Sequence, residues 1–63
     1  MPDADELLER IRTAKDWATS ESGAERTQAE QLGGEDGAAH RSLAVTYLAI
    51  ALVLDKILQP PQH

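Results

Sequence analysis

Apolar residues recur along the first half of this chain with the period of a helix. Leu7, Ile11, Ala14 and Ala18 follow one another at three- and four-residue spacing, and weaker members return at Ala29 and Leu32. At 100° per residue these six positions lie within about 60° of one another, a narrow stripe on a helix that is otherwise charged and polar. Asp3-Ala4-Asp5-Glu6 has the spacing of a capping box, an acceptor side chain with Glu three residues later. Asp5, Glu6 and Glu9 then fall where the positive end of a helix dipole favours carboxylates. The pattern predicts a first helix over about 4–31. Ser20-Glu21-Ser22-Gly23 is its weak point, because Gly costs about 1 kcal/mol relative to Ala inside a helix. The segment 20–25 is where the helix can kink, fray or end early, and a three-helix arrangement broken near Gly23 is the runner-up to a hairpin.

Gly33-Gly34-Glu35-Asp36-Gly37 reads as a turn over 33–37. Either of the first two glycines can adopt the left-handed conformation that ends a helix. A second helix is predicted from about 37 to 58, stopped by Pro60-Pro61, with a disordered tail over 59–63. This helix carries two apolar stripes. Tyr47, Ile50, Leu54, Ile57 and Leu58 lie within about 60° of Leu43, whereas Val45, Leu48 and Leu52 cluster on nearly the opposite side. Ala44 and Ala51 fall between them on one flank.

Two helices of similar length joined by a few residues predict an all-α fold, an antiparallel helical hairpin. The expected core is Leu7, Ile11, Leu43, Tyr47, Ile50, Leu54, Ile57 and Leu58. The stripe on the first helix is too narrow to cover both stripes of the second. Val45, Leu48 and Leu52 are therefore expected to form an interface, and the hairpin to dimerise into a four-helix bundle. A hetero-partner on the same surface, or a monomer covered by the kinked segment 20–32, are the alternatives. Trp17 lies about 80° off the main stripe, where it either lids the core edge or anchors an interface, Trp being enriched at binding hot spots.

Length sharpens this picture. Sixty-three residues make one small domain with a marginal core, and no Cys is present to staple it. Ten alanines and few β-branched residues favour helix over sheet. Leu43 to Leu54, twelve residues broken only by Thr46, span about 18 Å as a helix, short of a bilayer core, so no membrane contact is expected. The acidic beginning has no apolar signal-like run, and absent Cys fits a reducing compartment, so a cytoplasmic protein is expected.

The net charge is −5, and it is unevenly placed. Residues 1–37 hold ten acids and four bases, whereas residues 38–63 hold Asp55 against Arg41 and Lys56. With no basic patch and two aromatic residues, direct nucleic-acid binding is not expected. Asp36 and His40, one turn apart, supply two metal ligands at most, too few for a site, so neither metal nor cofactor is expected. No catalytic motif is found: the chain lacks a Cys nucleophile, Gly-x-Ser-x-Gly, His-Glu-x-x-His and a phosphate loop. The carboxylates of the first helix alternate with Arg10, Arg12 and Lys15 at ion-pair spacing, a solvated face.

The Ala-rich, Lys-poor composition resembles that of small accessory proteins from high-GC bacteria and their phages. The expected function is a non-enzymatic interaction module or accessory subunit acting through the apolar second helix. A protein inhibitor, antitoxin-like, whose acidic first helix blocks a basic nucleic-acid-binding target is the alternative.

Overall fold

The computed structural model describes residues 3–60 as two antiparallel helices, α1 (Ala4–Leu32) and α2 (Gly34–Leu58). The cap at the start of α1 is the one its sequence implies. Asp3 Oδ1 accepts a hydrogen bond from the Glu6 amide at 2.8 Å, with Asp5 and Glu6 in the first turn. The other end of α2 is also as expected: Gln59, preceding Pro60, turns to extended backbone at φ −70°, ψ 142°. Of the tail expected at 59–63, residues 61–63 lie outside the described residues.

The turn is shorter than expected. A single residue, Gly33, separates the helices in place of a loop over 33–37. Gly33 has φ 64° with ψ −178°, a region essentially closed to any residue with a Cβ, and Gly34 follows at φ 58°. The Gly33 amide donates to Ala29 O at 3.2 Å to close α1, and Gly33 O accepts from the Gly37 amide at 2.8 Å to open α2. Two consecutive glycines in left-handed backbone thus reverse the chain, and Glu35 and Asp36 join the first turn of α2, where the helix dipole favours them.

Nor does α1 kink into a separate element at Gly23; the helix is continuous through it. The expected weak segment is fastened to α2 on both sides of Gly23. Ser22, 4% exposed, donates its hydroxyl to Ala44 O across the helix pair at 2.8 Å. Glu25 Oε2 meets His40 Nδ1. These tertiary bonds offset the roughly 1 kcal/mol helix penalty of the glycine.

The largest correction concerns the core. The seam between the helices runs through Leu8, Ile11, Lys15, Ala18, Ser22, Glu25 and Ala29 on α1. It meets Gly37, His40, Ala44, Tyr47, Ala51, Leu54 and Leu58 on α2, all buried or half-buried. Both sets alternate three- and four-residue steps, the seven-residue repeat of a coiled-coil seam. Its buried members are small: Ala18, Ala29, Ala44, Ala51, Ser22 and Gly37. Of the expected core, Ile11, Tyr47, Leu54 and Leu58 belong to this seam and are half-buried, but Leu7, Leu43, Ile50 and Ile57 are exposed.

The physical reason is geometric. Small residues let the two backbones approach closely, so that a Cβ on Gly37 would lie 2.8 Å from Ala29 O. Around α2 the seam is rotated by about 70° from the stripe centred on Leu43, onto the Ala44–Ala51 flank. The large apolar side chains are thereby splayed to the two sides of the contact. The molecule that results is one helix layer thick, with extents of 45 × 29 × 14 Å.

Candidate interaction surface

The seam divides the remaining surface of α2 into two apolar flanks. On one, Leu48, Leu52 and Val45 lie at increasing angles from the seam, and their exposure rises with it, from 40% at Leu48 to 63% at Val45. On the other, Leu43 and Ile50 are similarly exposed, Ile57 more so, and Val53 lies beyond them, facing away from α1. Ala49, Ile50, Val53 and Leu54 line an open, wholly apolar groove of about 260 Å³ on this second flank.

The two flanks differ in what α1 adds beside them. Lys15 Nζ bridges to Asp55 Oδ1 at 2.9 Å on the Leu48–Leu52 side, next to Arg12 and Asp16, so charged side chains border that flank. The Lys15 ammonium holds the Asp55 carboxyl below its usual range, first through their hydrogen bond, and Gln59 Nε2 adds another at 2.9 Å. On the opposite side α1 contributes an aromatic residue. Trp17 packs edge-to-face on Tyr47, with ring centroids 5.4 Å apart and planes at 88°. It remains 53% exposed, so it lids the edge of the seam while offering much of its indole to solvent.

Val45, Leu48 and Leu52 share one flank, as their spacing implied, but Trp17 sits across the seam from them, beside Tyr47. The sequence reading also missed the small-residue seam itself. Its signal was the seven-residue spacing of Gly37, Ala44 and Ala51, matched by Ser22 and Ala29 on α1. Glu25 and His40 were legible only singly, because their pairing depends on the register of the turn.

The polar groups with chemical potential are occupied in the fold. The Ser22 hydroxyl is spent on Ala44 O, the His40 imidazole on Glu25, and the Lys15 ammonium on Asp55. His40 thus faces α1, not Asp36. Among the described residues no group of three or more His, Asp or Glu side chains is placed to hold a metal ion, and no helix is long and apolar enough to cross a membrane. Comparison with protein-family models, curated proteins and solved structures finds no match to this chain.

Proposed function

We propose that this chain is a small, non-enzymatic, cytoplasmic interaction module or accessory subunit that assembles through the outward surface of α2, with itself as a dimeric four-helix bundle in the first instance. The observation that supports this reading is the exposure of Val45, Leu52, Val53 and Ile57, each more than half open to water in the isolated hairpin. Covering such a half-exposed side chain stabilises by about 1 kcal/mol apiece. A domain of this size has on the order of 3–9 kcal/mol in total. Light scattering and circular dichroism over a dilution series test it. A dimer mass at high concentration, with helicity falling as the assembly dissociates, is the expected result. A monomer whose helicity does not change with dilution refutes it.

A second reading rests on the charge of α1. Glu6 and Glu9 are paired with Arg10 and Arg12 at 3.1 and 2.7 Å, while Asp5, Asp16 and Glu30 add exposed carboxylates along the same helix. Such a surface suits an inhibitor that occupies the basic site of a nucleic-acid-binding protein. Capture of such a target that is lost at moderate salt, and lost on charge reversal in α1, favours this over the module reading.

A further inference from the structure

We propose that the face of the hairpin bearing Leu7, Trp17, Leu43, Tyr47, Ile50 and Ile57 is a self-interface, occupied by a second copy of this chain. The flank of Val45, Leu48 and Leu52 stays outside that dimer. The proposal rests on the reading of the chain as an interaction module and assigns its partner and its face.

Three observations carry it. The first is area. The chain exposes 4898 Å², about 900 Å² more than the roughly 4,000 Å² expected of a compact monomer of its mass. A standard dimer hides about 800 Å² per partner, so one self-contact brings the surface to a normal value. The second is shape. At 14 Å the hairpin is one layer of helix, whereas stable domains pack two layers around a core. A second hairpin is itself two helices wide and of the same length, so it matches a face to which both helices contribute. The third is chemistry. This face holds both aromatic residues, already edge-to-face, and Trp is the residue type most enriched at binding hot spots.

On the α2 half of this face charge agrees with self-association, while α1 brings Glu21, half-buried one turn after Trp17, to its edge. In a two-fold contact each patch meets its own copy, so an acid within it would face another acid. After Asp36 the only acid in the chain is Asp55, and it is engaged with Lys15 on the other flank. The excess of carboxylates is confined to α1 and the first turn of α2. The other flank, by contrast, is bordered on α1 by the charged side chains of Arg12, Lys15 and Asp16. It is left free for a different partner.

The experiment compares wild type, Ile50→Glu and Leu52→Glu by sedimentation equilibrium, with helicity checked by circular dichroism and Trp17 emission followed on dilution. The expected result is a wild-type dimer whose Trp17 emission shifts to the red as it dissociates. Ile50→Glu should weaken the dimer more than a hundredfold and Leu52→Glu less than threefold. A dimer that Leu52→Glu dissolves and Ile50→Glu does not overturns the choice of face while preserving the module reading. A wild type that stays monomeric, with Trp17 emission constant from micromolar to millimolar, overturns self-association and with it the dimeric module reading. Should Ile50→Glu fail to fold, the wild-type Trp17 emission decides: unchanged across dissociation, it refutes the proposal.

Discussion

Adding one methyl group at each of two glycines separates helix propensity from the closeness of the seam. Gly23 and Gly37 both lie inside helices with negative φ, so replacing either with Ala removes the same backbone entropy cost, about 0.8–1.0 kcal/mol. Their surroundings differ. A Cβ at Gly23 meets nothing within 4 Å, and Gly23→Ala should stabilise by nearly the full amount. A Cβ at Gly37 would sit 2.8 Å from the carbonyl oxygen of Ala29, with its carbonyl carbon at 3.7 Å. Those atoms are backbone, held in the last turns of α1, and relief requires the helices to part near the turn. Overpacking of this kind costs about 1–3 kcal/mol. Because the propensity gain is common to both, Gly37→Ala should be less stable than Gly23→Ala by about 1–3 kcal/mol. At about 4–8 °C per kcal/mol for a domain of this size, thermal melting followed at 222 nm resolves the gap. All three proteins must be compared at one concentration, since assembly itself raises the melting temperature. A Gly37→Ala protein as stable as Gly23→Ala would refute the close approach of the two backbones, and with it the assignment of the seam to small residues.

Two further outcomes test the same contact at other points. Ala44→Leu, at a position 3% exposed, should destabilise by about 1–3 kcal/mol in urea denaturation by prying the helices apart; an unchanged midpoint would mean the seam has room for a large side chain. Asp55, whose carboxyl is held below the usual 3.8 chiefly by the Lys15 hydrogen bond, contributes stability that is present above that value and is lost as pH falls through its lowered folded pKa. Asp55→Asn should therefore be less stable than wild type at pH 7 and converge with it towards pH 2, and a difference that does not vary with pH would refute the role of the ion pair.

Local chemistry made much of the architecture legible in the sequence. The capping box at Asp3, the glycines at 33 and 34, and Pro60 are signals whose effect depends on one or two neighbours. The boundaries of both helices accordingly fell within a few residues of where these signals place them. The antiparallel pairing of the helices follows from the short connection between them. The excess of large apolar residues on the second helix was equally visible, because it is a count along one helix and needs no partner.

Three features were decided only when the helices came together. Gly23 interrupts the helical pattern of the first helix, yet the bonds that keep it helical, from Ser22 to Ala44 O and between Glu25 and His40, join residues 22 and 15 apart. Glu35, Asp36 and Gly37 have the composition of a loop. They became helix because the two preceding glycines complete the reversal, which turns the acids into dipole partners and brings Gly37 against the Ala29 carbonyl. The core moved for a related reason. Hydrophobicity ranks the Leu43 stripe highest, whereas packing of two helices rewards how near their axes can come, and the α1 stripe, mostly Ala and Ser between Ile11 and Leu32, fits the Ala44–Ala51 flank. Hydrophobic amount is a property of the residues themselves. Which face is spent on the seam and which is left outside depends on shape matching between two surfaces, and that only the tertiary structure decides.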